Sequence, residues 1–254
     1  MKYHGGKQRI GGILAEKIYH ISNKISNERD VEIKGYCEPF CGMLGVYRHI
    51  PDLFDNTKLK YKAGDVNISV IMMWQALQRG WKPVHKLTKT QYNKLKQDGA
   101  ASAEKGFYGH AYTYRGEFLD TYFPHQDSTI KHNVESVCDI AEDLNFVKFS
   151  EGSYTQFSRL KGYVIYCDPP YQDTISRYSE GKNRELLKFN SDNFWRWCEN
   201  MSENNIVIIS SYKAPKNFKK VFSLKTKITG IRSKNIRSKN IRSKNRVEKL
   251  FILK

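Results

Sequence analysis

Apolar positions along this chain change period repeatedly, from the three-to-four spacing of a helix to the short unbroken runs of a buried strand. Ile10, Ile13, Leu14, Ile18 and Ile21 share one face of a helix expected over Ile10–Ile25. Ile33–Cys37 reads as a short strand. A glycine-bearing turn, Glu38-Pro39-Phe40-Cys41-Gly42-Met43-Leu44-Gly45, then leads into a helix through Ile50. Leu59–Ala63 is a second strand, ending at Gly64-Asp65, and Ile68–Leu77 a further helix. Helix Val134–Leu144 and strand Phe146–Phe149 follow. Strand Tyr163–Cys167 then runs into Asp168-Pro169-Pro170-Tyr171. Phe194–Met201 is expected to be helical, Ile206–Ser210 to be a buried strand, and Val221–Ile228 with Lys249–Leu253 to form a closing pair. This alternation predicts an α/β fold with a mostly parallel sheet covered on both faces.

One stretch breaks the rhythm. Arg79 to Lys131 is rich in Gly, Tyr, Lys and His and keeps no sustained period. It reads as a subdomain, residues 79–131, inserted into a main domain made of residues 1–78 and 132–254. A second irregularity is a short repeat: Ile231-Arg232-Ser233-Lys234-Asn235 recurs at Ile236–Asn240 and Ile241–Asn245. The period is too short for a solenoid and reads as an expanded basic loop between two late strands.

Composition narrows the partner. Hydrophobic residues make up 39% of the 254 positions, enough for a core, while 43 Lys and Arg against 26 Asp and Glu leave a net charge of +17. A balance this basic, concentrated towards the C-terminus, favours a polyanion, of which nucleic acid is the commonest. Five cysteines with no Cys-x-x-Cys pair fit reduced thiols better than disulfides or a zinc site, and the histidines form no metal constellation. The first residues lack the apolar core of a signal peptide, and no apolar run approaches a membrane span. The expectation is a cytoplasmic protein that engages no membrane.

Four segments carry candidate chemistry. Asp168-Pro169-Pro170-Tyr171 leaves an apolar strand at its carboxyl end, where open α/β sheets place their sites. An aromatic amino group is a poor nucleophile because its lone pair is delocalised into the ring. A carboxylate (Asp168) and a main-chain carbonyl (Pro169) accepting its two N–H bonds pull it toward tetrahedral geometry. Pro170 fixes that carbonyl, and Tyr171 offers a flat face to a flipped base. The structural alternative is a strand exit stiffened by two prolines. At Glu38-Pro39-Phe40-Cys41-Gly42, glycine permits close backbone approach to a ligand and the following helix start accepts a carboxylate; a plain tight turn is the alternative. Asp65 stands where acidic residues bind ribose hydroxyls, or else it caps the helix from Ile68, with Asn67 as a rival cap. His4-Gly5-Gly6-Lys7 lacks the remaining residues of a phosphate-binding Walker loop.

Taken together, these segments resemble the Dam-like, D12-class adenine-specific DNA methyltransferases of phages and bacteria, over nearly the whole chain. The resemblance implies a Rossmann-like class I S-adenosylmethionine (SAM)-dependent methyltransferase sheet with an inserted target-recognition subdomain. It implies N6 methylation of adenine in double-stranded DNA, with a restriction endonuclease as a candidate partner. Tyr3, Gly6 and Lys7 match the family's N-terminal motif at the methionine end of SAM. Glu38, Phe40 and Gly42 match its cofactor loop, Asp65 its ribose ligand, and Asp168 to Tyr171 its catalytic tetrapeptide, with Asp168 also at the cofactor. Ser153 and Tyr154 fall where the family meets the cofactor adenine. In the insertion, His110, Tyr112 and Arg115 are candidates for DNA contact, with the alternative that the aromatics of this stretch form the subdomain's small core. Many members carry glycine two residues after Gly42, where this chain has Leu44, so the role of Gly45 stays open.

The repeats add Arg232, Lys234, Arg237, Lys239, Arg242 and Lys244 as candidates for the DNA backbone, against the alternative of a solvated loop. Identical copies suit phosphates better than bases. Rival functions are methylation of cytosine N4 or an RNA adenine, and a non-catalytic nucleic-acid-binding protein on the same scaffold.

Overall fold

The computed structural model describes residues 1, 3, 5–54, 58–170, 189–226 and 246–254. Its elements are α1 (Gly11–Arg29), β1 (Gly35–Glu38), α2 (Ile50–Phe54), β2 (Lys60–Asp65), α3 (Ile68–Gln78), α4 (Lys89–Gln97), α5 (Ala103–Ala111), α6 (Asp127–Asp143), β3 (Lys148–Glu151), β4 (Tyr163–Cys167), α7 (Ser191–Ser202), β5 (Ile206–Ser210), β6 (Phe218–Thr226) and β7 (Arg246–Leu253). The strands form one seven-stranded sheet ordered β3-β2-β1-β4-β5-β7-β6. β1 to β5 run parallel, and β7 inserts antiparallel between β5 and β6. This is the mostly parallel class I sheet with a terminal hairpin that the sequence predicts.

Period-two alternation assigns each strand residue to a face. Tyr36, Val164, Tyr166, Ile206, Ile208, Leu250 and Ile252 join Leu14 and Ile18 of α1 and Trp74 of α3 in one core. Cys37, Ile165, Cys167, Val207 and Ile209 join Phe194, Trp197 and Cys198 of α7 in the other. All five residues of β4 and of β5 are therefore buried, which is why both read as continuous apolar runs.

Three expectations need correction. The helix expected to end at Ile50 begins there. Gly42 and Leu44, at φ +45° and +54°, keep the turn out of helical geometry, and only a 3-10 turn at Tyr47–His49 precedes α2. β6 begins at Phe218, three residues before Val221, and Ile228 lies outside the described residues. The insertion is more regular than its composition implies. α4 opens on a capping box, with Thr88 accepting from Gln91 N–H and the Gln91 side chain accepting from Thr88 N–H. α5 opens on Ser102, whose hydroxyl accepts from Lys105 N–H at 3.2 Å.

α6 starts at Asp127 and runs through the boundary expected at 131/132. Tyr92, Phe107, Tyr108 and Tyr112 of the insertion are buried in the same cluster as Trp74, so the segment shares the main core. Gly106 makes this docking close: a Cβ there would stand 2.2 Å from the Ser69 carbonyl oxygen on α3. Among the described residues, no helix is long and apolar enough to cross a membrane.

Candidate active site at the β1/β4 switch point

The chain lays down β1, β2 and β3 outward in one direction, then returns to place β4 and β5 on the other side of β1. The crevice beyond the carboxyl ends of β1 and β4 is thus the topological switch point, where open α/β sheets bind ligands. Three of the predicted segments end there or on the adjacent strand: the Glu38–Gly42 turn after β1, Asp168 after β4 and Asp65 at the end of β2.

On one face, alternation brings acidic and hydroxyl side chains together. Tyr36 and Glu38 share a face two residues apart, and the Tyr36 hydroxyl donates to Glu38 Oε1 at 2.7 Å. Tyr166 and Asp168 continue that face on β4, Ser210 on β5 and Glu248 on β7. Lys7, just ahead of α1, lies over them. Its Nζ donates to Asp168 Oδ1 at 2.7 Å and Oδ2 at 2.6 Å, and stands 3.8 Å from Glu248 Oε2. Glu248 Oε1 accepts from the Ser210 hydroxyl. Burial pushes the Glu38 carboxyl well above the usual carboxylate range. The Tyr36 hydrogen bond pulls it back in part, and the charge of Asp168 raises it further. Burial likewise raises the Tyr166 phenol, with Asp168, Glu248 and Glu38 adding to the rise.

Glycines seat the lysine. A Cβ on Gly45 would meet the Lys7 and Gln8 backbone at 3.0–3.2 Å, and one on Gly11 would stand 1.8 Å from the Gly45 carbonyl oxygen. Gly45 is therefore the close-approach residue between the β1 turn and the N-terminal arm. Gly6 closes a turn in that arm, donating its N–H to the Tyr3 carbonyl at 3.0 Å. The position where the resembling family often has glycine is occupied by Leu44, fully buried at φ +54°. What approaches Gly42 most closely is the Tyr3 ring, 2.8 Å from where a Cβ would stand.

Asp65 ties the turn to β2: Oδ2 accepts from Gly42 N–H and Oδ1 from Asn67 N–H, both at 2.9 Å. The N-cap of α3 is Asn67, which accepts from Val70 N–H at 3.3 Å. Burial raises the Asp65 carboxyl, and these backbone bonds offset part of the rise. An ionised carboxylate offers about four lone-pair sites, so the bonds from Gly42, Asn67 and Val66 N–H still leave acceptor capacity for a ribose hydroxyl.

Phe40 and Tyr154 stack with ring centroids 5.7 Å apart and planes 29° from parallel. Phe189 and Phe194 pack against both rings edge-on. Phe40 and Tyr154 are each only partly covered, as a surface that stacks a nucleobase needs to be. Ser153 is exposed and caps the 3-10 turn that carries Tyr154.

The insertion candidates separate. His110 is 2% exposed, with its ring 4.8 Å from that of Tyr3 and Nδ1 2.9 Å from the Gly116 carbonyl oxygen. Burial lowers it to about 4. Tyr112 is 4% exposed; its hydroxyl accepts from Leu87 N–H and donates to the His85 carbonyl. Both side chains are buried in the packing of the insertion. Arg115 is exposed. Tyr171 and the repeat residues Arg232, Lys234, Arg237, Lys239, Arg242 and Lys244 lie outside the described residues.

Sequence reasoning missed Tyr36, Ser210 and Glu248. The only available signal for Glu248 was its place two residues before Leu250 in a strand. It also missed Trp74, whose indole N–H donates to the Gly42 carbonyl at 2.9 Å. Among the described residues, no group of His, Cys, Asp and Glu is arranged to hold a metal ion.

No family model matches the chain, and neither does any curated protein. Among solved structures it is similar to TrmN from Thermus thermophilus, at 9% identity over 94% of this chain and 47% of that one, TM-score 0.39. It is also similar to the rRNA methyltransferase aviRa from Streptomyces viridochromogenes, at 9% identity over 94% and 83%, TM-score 0.37. A third is magnesium protoporphyrin IX methyltransferase (ChlM) from Synechocystis PCC 6803, solved with bound SAM, at 8% identity over 97% and 82%, TM-score 0.32. The chain spans about half the length of TrmN.

Proposed function

We propose that this chain is a SAM-dependent methyltransferase that modifies the N6 amino group of adenine in double-stranded DNA. The observation that carries this reading is the convergence of Asp168-Pro169-Pro170, the Glu38–Gly42 turn and Asp65 at neighbouring strand ends around the β1/β4 switch point.

The residues present fit SAM. Asp65 retains acceptor capacity for the ribose, Phe40 and Tyr154 present partly covered rings to the adenine, and Tyr3 and Lys7 close over the glycine turn. When bound, SAM supplies a methyl group activated by a positively charged sulfur. The protein's task is to make a weak nucleophile attack it. Asp168 accepts one N6–H of the flipped adenine and the Pro169 carbonyl accepts the other, which turns the nitrogen lone pair out of the ring plane. The nitrogen sheds one proton on methylation, and the Asp168 carboxylate is the acceptor at hand. Pro170 lacks an N–H and has a fixed φ, which holds the Pro169 carbonyl in place.

The net charge of +17 favours a polyanionic substrate. On the insertion, Arg115 is exposed beside Tyr114 and Phe123, whose rings are 5.2 Å apart and which are 51% and 38% exposed. A cation beside exposed aromatics suits phosphate contact and base stacking, and we assign target recognition to this surface. An aspartate before Pro-Pro, rather than serine, favours adenine over cytosine N4. The test is transfer of tritiated methyl from SAM to duplex DNA. The wild type is expected to label adenine-containing duplexes, and Asp168→Ala is expected to abolish labelling while still binding SAM in calorimetry.

A further inference from the structure

We infer that Glu248 is a positioning residue, which receives the Lys7 ammonium when Asp168 turns to the target amine. The inference rests on the proposed function and goes beyond it. Lys7 Nζ engages both Asp168 oxygens, at 2.7 and 2.6 Å. A carboxylate held this way from both prongs has to loosen the lysine before it accepts a target N–H. Lys7 is deeply buried, its side chain 8% exposed, and a buried ammonium parted from its counterion is costly. Glu248 provides the alternative. Its Oε2 already stands 3.8 Å from Nζ, its side chain is 10% exposed, and Oε1 is fixed by the Ser210 hydroxyl. A shift of roughly 1 Å in a four-carbon side chain converts that distance into a charge-assisted hydrogen bond of about 2.8 Å.

The arrangement is set by the fold. Ser210 of β5 pairs with Leu250 of the antiparallel β7, which places Glu248 two residues away on the same face. Glu38 and Tyr166 complete the ring of titratable groups around the pair: Glu38 interacts with Asp168, and Tyr166 with Asp168, Glu248 and Glu38. Lys7 thus moves between two carboxylates, one catalytic and one beside it, and its position sets whether Asp168 is open to substrate.

Glu248→Gln tests this, because it keeps the size and the acceptor for Ser210 and removes only the charge. The expected result is a fall in kcat of tenfold or more, with SAM affinity within twofold of wild type and no loss of Tm; Glu248→Asp should recover part of the rate. A second readout is independent of turnover. With S-adenosylhomocysteine present, the Lys7 Nζ resonance in lysine-labelled protein, assigned through Lys7→Arg, should shift on adding an adenine-containing duplex, and should not shift in Glu248→Gln. A variant with wild-type kcat and the wild-type resonance shift overturns the inference alone. A wild-type protein that transfers no methyl to DNA overturns the proposed function with it.

Discussion

Lys7 and Asp168, 161 positions apart in the chain, meet as a two-pronged ion pair in which one ammonium bonds both carboxylate oxygens. With Glu248 3.8 Å away, the two ends of the pair are not equivalent. Lys7→Met removes the ammonium that bonds Asp168 and stands 3.8 Å from Glu248, whereas Asp168→Asn leaves the lysine a carboxylate nearby. Removing one member of a buried pair costs roughly 3–5 kcal/mol, and the two side chains are only 8% and 19% exposed. Urea unfolding should therefore show the larger loss for Lys7→Met and roughly half that loss or less for Asp168→Asn. Equal losses would mean that Glu248 gives the lysine no support.

His110 predicts a pH dependence. Its folded value is lowered to about 4 from 6.5, so between those values the unfolded chain binds the extra proton. Stability from this residue is therefore intact above pH 6.5 and lost as pH falls towards 4, by roughly 3 kcal/mol in all. His110→Asn keeps a donor near the Gly116 carbonyl and does not titrate. The stability difference between wild type and variant, followed by denaturant unfolding from pH 7 to 4, should move against the wild type across that window. A constant difference would show that His110 does not titrate in this way.

Leu44 combines two opposed effects. Its left-handed backbone, φ +54°, costs a non-glycine residue roughly 1–2 kcal/mol. Its fully buried side chain contributes more, since truncating a core leucine costs about 2–5 kcal/mol. Leu44→Gly should therefore lower Tm despite relieving the backbone. A rise in Tm would mean that strain outweighs packing.

These residues also show how far the sequence was legible. Apolar runs located β4 and β5 residue for residue, because strands buried on both faces are continuous apolar runs; β3, with one buried residue in four, and the antiparallel β6 and β7 were located only with shifted ends. The insertion looked irregular because α4 and α5 are short and carry Lys, Gly and Tyr at positions where an apolar stripe would be clearer. The signal that was present, Thr88 three residues before Gln91, is a capping pattern rather than a periodicity. The sequence leaves His110 and Tyr112 open between DNA contact and core packing because polar aromatics suit both; in the fold His110 Nδ1 and the Tyr112 hydroxyl find main-chain partners. Glu248 was invisible for a different reason: it is an acid in a basic stretch, and only the strand order puts it beside Lys7.

Gly106 offers a test of the insertion's docking. A methyl group there would collide with the Ser69 carbonyl on α3 and with Met73, so Gly106→Ala should destabilise by roughly 1–3 kcal/mol. Gly99, where a Cβ would meet nothing within 4 Å, is the control and should tolerate alanine with little change. Matching behaviour of the two variants in thermal melts would contradict the close α3–α5 packing.

The central claim is tested most directly by the modified nucleosides in DNA from cells expressing this chain, digested and measured by mass spectrometry beside DNA from cells expressing Asp168→Ala. The account predicts N6-methyldeoxyadenosine with the wild type and none above background with the variant. DNA without that nucleoside, or methylation found instead on cytosine N4 or in RNA alone, would contradict it.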